Sequence, residues 1–339
     1  MINQFEIQNC GPIKTIKADS LTNINLIIGE NSCGKTFLLK MLYSIVRSQE
    51  EFGRGNDNRG FNEVLSDKLY WTFQNEKLGD IVRKGKDNKL KVSFSMADKG
   101  SLVFEFTPST TKEVTPAHNN LSAREANSIF LPPKEVLSLH QIILKSALQD
   151  KVFGYDATYA DLILALQNQT QRGRNYEAFK NSRKSLEEIF SGRIEYDTNT
   201  AKWVYKRGNA KFSIHNTAEG IKKIAILDTL LGNRFITPDS IIFIDEPESA
   251  LHPTAITKLL DIVKVLSEQG IQFFIASHSY YVVKKLELIA HNSSSDVTCF
   301  IADKDGDWAM SYLKRDGLPE NEIIGESVRL FEQSFNGLK

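Results

Sequence analysis

The spacing of apolar residues changes repeatedly along the chain, and each change predicts an element. Phe5-Glu6-Ile7-Gln8-Asn9 alternates and breaks at Gly11-Pro12, as a strand entering a turn does. Asn25 to Ile28 is a second β-run, and from Phe37 to Val46 the apolar positions recur at helical spacing. The polar, glycine-rich stretch from Gly53 to Gly60 predicts a mobile surface loop. Alternation returns in Lys91-Val92-Ser93-Phe94-Ser95-Met96 and Ser101-Leu102-Val103-Phe104-Glu105-Phe106, which Asp98-Lys99-Gly100 joins into a hairpin. Between Lys134 and about Phe190 the period is helical, carried by Val136, Leu137, Leu139, Ile142 and Ile143 and then by Tyr159, Leu162, Ile163 and Leu166. This predicts an inserted helical lobe, too short and irregular for a long coiled coil. Strand patterns follow at Arg193 to Tyr196, Lys202 to Tyr205 and Phe212 to Ile214.

The last third reads as a parallel α/β unit. Ile241-Ile242-Phe243-Ile244 is continuously apolar, as a strand buried on both faces must be, and it ends on Asp245-Glu246. The next helix is bounded by Pro253 near its start and Gly270 beyond its end, with Ile256, Leu259, Leu260, Val263 and Leu266 on one face. A second buried strand, Ile271 to Ala276, ends on Ser277-His278. Both strands deliver polar residues at their C-terminal ends, where open α/β sheets bind ligands. About 60 residues follow His278 and read as a hairpin around Lys304-Asp305-Gly306 and a helix.

The candidate chemistry begins in the turn between the second β-run and the first helix. Gly29-Glu30-Asn31-Ser32-Cys33-Gly34-Lys35-Thr36 is a complete P-loop in strand-loop-helix context, which predicts nucleoside triphosphate binding. Its glycines let the backbone wrap the phosphates, and the N–H groups from about Asn31 through Ser32, Cys33 and Gly34 to Thr36 form an anion nest at a helix N-terminus. Lys35 reaches the β- and γ-phosphates, and the Thr36 hydroxyl ligates Mg²⁺. Asp245 is the expected Walker B acid, binding Mg²⁺ directly or through water. Its neighbour Glu246 is the natural general base for a water attacking the γ-phosphate. His278 stands at the end of the following strand, within reach of the γ-phosphate or that water.

Composition narrows the partners. With 339 residues and 41% hydrophobic content the chain can build a large core. Lys+Arg and Asp+Glu both number 42, so the formal net charge is zero and no global field recruits nucleic acid or an anionic membrane. DNA contact is confined to local patches, with Arg83-Lys84-Gly85-Lys86 and Arg172-Gly173-Arg174 through Arg183-Lys184 as the candidates, or as solvated faces. No apolar run approaches about 18 residues, and Met1 to Glu6 lacks the layout of a signal peptide, so the expectation is a cytoplasmic protein with no membrane partner. Cys10, Cys33 and Cys299 form no Cys-x-x-Cys pair and support neither a disulfide framework nor a zinc site. Cys33, inside the phosphate loop, is either a reactive thiol or an inert loop residue.

Taken together, Gly29 to Thr36, Ile241 to Glu246 with Pro247-Glu248-Ser249-Ala250-Leu251-His252-Pro253, and Ile275-Ala276-Ser277-His278-Ser279 resemble the ABC-type ATPases of the SMC, RecF and OLD group, most closely the bacterial AAA_15/AAA_21 ATP-binding proteins. The resemblance implies an α/β P-loop NTPase with an ABC/SMC-type head, an antiparallel β subdomain and the helical lobe. Residues 1–133 and 191–339 would form the head and 134–190 the lobe. It also implies ATP and Mg²⁺ as ligands, and a homodimer whose composite sites sandwich ATP between one P-loop and the partner's signature segment. Ser249-Ala250-Leu251-His252 matches the D-loop and His278 the H-switch. The signature position reads Asn216-Thr217-Ala218-Glu219-Gly220 in place of Leu-Ser-Gly-Gly-Gln, leaving Thr217 as the hydroxyl, Gly220 as the N–H donor and Glu219 beside them. Glu135, after Ile129 to Pro133, takes the Q-loop position near the metal. The hairpin and helix read after His278 differ from the Toprim domain of the OLD nucleases, so the expectation is a chain without a nuclease of its own. The resemblance favours an ATP-driven switch that controls a separate nuclease or toxin effector in defence against phage or mobile DNA. A DNA-binding clamp for repair is the alternative, and a transporter motor or a small-molecule kinase fits the signature and insertions poorly.

Overall fold

The computed structural model describes residues 1–168, 176–197, 200 and 202–336. In chain order, strands β1 (Ile2–Cys10), β2 (Ile13–Ala18) and β3 (Ile24–Ile28) lead into helices α1 (Lys35–Glu51) and α2 (Phe61–Phe73). Strands β4 (Leu90–Met96), β5 (Ser101–Phe106), β6 (His118–Asn119) and β7 (Ser128–Leu131) follow. Helix α3 (His140–Leu144) runs into a π turn at Lys145–Gln149, then come α4 (Ala157–Gln167) and α5 (Glu177–Phe190). The chain continues through β8 (Arg193–Asp197), β9 (Lys202–Arg207), β10 (Ala210–Ser213), α6 (Glu219–Gly232), β11 (Ile241–Asp245), α7 (Pro253–Ser267) and β12 (Gln272–Ala276). It closes with α8 (Tyr280–Asn292), β13 (Thr298–Ala302), β14 (Trp308–Tyr312) and α9 (Glu322–Asn336).

The central sheet has the order β14-β13-β3-β12-β11-β7, parallel from β7 to β13 with β14 antiparallel at the edge. Its inner strands are largely apolar because both faces are covered, and successive side chains enter two different cores. Leu26, Ile28, Ile242, Ile244, Phe273 and Ile275 point into a core shared with α4 to α8 and the β8–β9 hairpin. Ile27, Ile241, Phe243, Phe274, Ala276 and Phe300 point into the other, with α1, α2 and the antiparallel sheet β2-β1-β4-β5-β6. Helix α1 is therefore held between two sheets, and the loop that precedes it is fixed at the sheet's C-terminal edge.

Most sequence-predicted elements are present, and the fold adds others, among them β2, α2 and α8. Helix α2 follows directly on the glycine-rich stretch, burying Phe61, Val64, Leu65 and Leu69 at helical spacing against α1. After His278 the chain forms α8 as well as the expected hairpin and terminal helix, and α8 packs on α7. Helices α3 to α5 share the core of the head, with α4 against β7 and α5 against α6 and α7.

Candidate functional site

The phosphate loop follows β3. Ser32 (φ 65°) and Gly34 (φ 109°) adopt left-handed backbone, the geometry that turns successive N–H groups inward. A Cβ at Gly34 would meet Ile13 Cγ1 at 2.8 Å, so both the turn and the space demand glycine. Helix α1 starts with no side-chain cap and no acidic residue in its first turn. Its N-terminal N–H groups and its dipole are therefore available to an anion. Lys35 is almost fully buried, and its ammonium donates to the carbonyls of Gly29 at 2.8 Å and Glu30 at 2.9 Å.

Strand β11 brings its end against this loop. The Thr36 hydroxyl donates to Asp245 Oδ2 at 2.8 Å, joining residues far apart in sequence. Burial raises the Asp245 carboxyl to about 6; the Thr36 hydrogen bond, Lys40 and Lys35 oppose the rise and Glu246 adds to it. Thr36 and Asp245 are two hard oxygen donors, and Mg²⁺ takes few protein ligands, filling its octahedron with water and phosphate oxygens. The pair fits that ion. Among the described residues no group of three or more His, Cys, Asp or Glu is arranged to hold a metal without a phosphate.

Beyond Asp245 the backbone turns sharply. Glu246 has φ 51°, a conformation non-glycine residues rarely adopt, and its N–H is tied to the Ala276 carbonyl at 2.9 Å. Its side chain remains 38% exposed. His278 Nδ1 lies 3.6 Å from Glu246 Oε1 and 3.6 Å from Glu248 Oε1, beyond hydrogen-bond length and close enough to engage after a small movement. Glu248 holds the strand end, accepting from Ser277 Oγ at 2.9 Å and His278 N–H at 3.0 Å. Lys223 donates to the Glu246 carbonyl at 2.9 Å.

The signature position opens α6. Ala218 precedes the helix, Glu219 is exposed in its first turn, and Gly220 lies against the segment expected to be the D-loop: a Cβ there would meet Ala250 O at 2.5 Å. The Thr217 hydroxyl donates to the Ser213 carbonyl at 3.1 Å. Glu135 has partners of its own. Its carboxylate pairs with Lys222 Nζ at 3.2 Å and accepts from Ser138 N–H at 3.1 Å, so a role at the metal requires that buried pair to open.

With this geometry in view, the sequence matches over residues 24–284 the AAA_21 family, described as "AAA domain, putative AbiEii toxin, Type IV TA system". The chain belongs to that family. No curated protein matches it by sequence. Among solved structures it is similar to an SMC head bound to the C-terminal winged-helix domain of ScpA, at 12% identity and TM-score 0.56 over 93% of this chain and 98% of that one. It is likewise similar to the Pyrococcus furiosus Smc head with an extended coiled coil, bound to the C-terminal domain of ScpA, at 11% identity and TM-score 0.50 over 98% of both chains. The expected fold, an α/β P-loop NTPase of ABC/SMC-head type, is thus the fold of this AAA_21 member.

Sequence reasoning did not single out Lys223 or the contacts of Glu248. The Lys222-Lys223 pair carries a signal, being two adjacent charges near the start of a helix that is mostly apolar from Ile221 to Leu231. Of the basic stretches, Arg172 to Arg174 lie outside the described residues. Arg83 is engaged by the carbonyls of Pro12 and Asp305, Lys84 approaches Asp80 at 3.5 Å, and Arg183 pairs with Asp228 at 2.8 Å. No helix among the described residues is long and apolar enough to cross a membrane.

Proposed function

We propose that this chain binds ATP with Mg²⁺ at the phosphate loop and hydrolyses it as a dimeric switch controlling a separate nuclease or toxin effector. The observation that carries the reading is the junction of Thr36, Asp245, Glu246 and His278 at one edge of the sheet. The nest from Asn31 to Thr36, with Lys35, binds the phosphates; Thr36 and Asp245 would hold the ion. Mg²⁺, when bound, neutralises charge on the β- and γ-phosphate oxygens. Glu246 takes a proton from water as that oxygen bonds to the γ-phosphorus and the bond to the β-phosphate oxygen breaks, releasing ADP. His278 orients the water or the γ-phosphate. Gly220 and the α6 N-terminus, beside the D-loop, are the surface that meets the partner's nucleotide, with Glu219 turned to solvent.

Two findings support the effector. The family description names a type IV toxin–antitoxin system, and both SMC heads of similar fold were solved with a bound protein domain. That association supports the reading of a defence role against phage or mobile DNA, exercised in the cytoplasm. The repair-clamp alternative draws on the SMC-head fold, and it predicts DNA-stimulated ATPase activity that falls steeply with salt.

The central test is Glu246→Gln. Hydrolysis should fall by about 10²–10⁴-fold while ATP affinity is retained and an ATP-bound dimer accumulates in size-exclusion chromatography. Unchanged turnover would remove Glu246 from the role of base and with it the switch.

A further inference from the structure

The second turn of α6 carries two adjacent lysines that reach different parts of the site. Lys222 Nζ bonds Ser138 Oγ at 2.7 Å and Glu135 at 3.2 Å, at the entry to the helical lobe. Lys223 Nζ bonds the carbonyl of Glu246 at 2.9 Å. That carbonyl also accepts the Ser249 N–H at 3.1 Å, closing the turn into the D-loop. Glu246 is thereby held on three sides: its N–H by Ala276, and its carbonyl by Ser249 and by Lys223.

We propose that Lys223 is a positioning residue for Glu246, locking the left-handed turn that aims the carboxylate and linking that turn to the signature end of α6. The proposal rests on the reading of Glu246 as the general base. A glutamate at φ 51° persists only where its surroundings over-determine it, and a charged donor on the carbonyl is the strongest of the restraints present. Neighbouring charge explains why a lysine can be kept there. Burial lowers its pKa to about 8, opposed by Glu248, Glu246, Asp245 and Glu219. Because Gly220, on the same helix as Lys223, abuts Ala250 in the turn that follows Glu246, displacement of the α6 N-terminus by a partner's nucleotide would reach Glu246 through Lys223.

The test compares Lys223→Met, Lys223→Arg, Glu246→Gln and the Lys223→Met/Glu246→Gln double variant in the full chain, measuring ATPase kcat and KM and the Kd for ATP. Removing the restraint should lower kcat by about 10–100-fold, the scale of a misplaced catalytic group, with Kd for ATP within about twofold of the parent. Arginine should restore most of kcat, and methionine should cause no further loss in the Glu246→Gln background. Parental kcat in Lys223→Met beside an inactive Glu246→Gln overturns the positioning role and leaves the base intact. A parallel loss of kcat and ATP affinity that arginine does not rescue also overturns it, assigning Lys223 to the fold alone. Full activity in Glu246→Gln instead overturns the underlying reading. Should methionine prevent folding, Lys223→Gln, which keeps a neutral donor, is judged by the same kcat and Kd criteria.

Discussion

Gly220 shows how narrowly single residues are constrained here. It occupies the first turn of α6, where alanine would favour the helix, yet a Cβ would stand 2.5 Å from Ala250 O and 3.0 Å from Leu251 Cδ2. The neighbour is backbone, which cannot swing aside. Gly220→Ala should therefore destabilise the chain by about 1–3 kcal/mol, read as a lower urea midpoint at unchanged slope, despite the gain in propensity. Residues such as Lys35 and Thr36 were legible from sequence because their spacing along one loop is itself the chemistry. Lys223 and Glu248 were not, because their roles depend on segments that meet only in the fold.

At the level of elements, α1 is anchored at both ends. Its N-terminus carries the phosphate loop, and near its C-terminus Glu50, wholly buried, ties it to β7. The Glu50 carboxylate accepts from Ser128 N–H at 2.9 Å and Ser128 Oγ at 2.6 Å, and it pairs with Arg47 at 3.1 Å and with Arg124. Glu50→Ala would leave these donors buried without their anion, and unfolding should become easier by about 3–5 kcal/mol, measured by chemical denaturation. The burial of such a glutamate is hard to read from sequence, where it looks like one more charge on an amphipathic helix. Helix α2 went unread for a related reason: the glycine-rich stretch before it masks Phe61, Val64, Leu65 and Leu69, whose spacing is helical.

Across the whole molecule, polar contacts knit helices α3 and α4 to elements distant in sequence. Lys40, one turn beyond Thr36, pairs with Asp156 at the start of α4 at 2.7 Å, and Asp161 takes Tyr43 OH at 2.5 Å and Lys68 at 3.1 Å. On the other side His140 accepts the Trp203 N–H at 2.8 Å, joining α3 to β9, and burial lowers its pKa from the usual 6.5. Since the unfolded chain takes up this proton at a higher pH than the folded one, the contribution to stability is fully present above about pH 6.5 and is lost as pH falls from there toward the lowered folded value. Asp245, raised to about 6, contributes with the opposite sign in this range but equally in parent and variant, so the check is the difference between them: the melting temperature of His140→Gln relative to the parent should rise as pH falls from about 7 to 5.

The local features, the phosphate loop, the apolar runs that became β11 and β12 and the acids ending one of them, were written in the sequence because each depends on residues a few positions apart. Which face of the sheet each side chain entered, how Thr36 came to bond Asp245, and why Glu135 answers to Lys222 were decided by tertiary structure. Those pairings join residues separated by tens to hundreds of positions, and periodicity along a chain carries no information about which buried charge will find which partner.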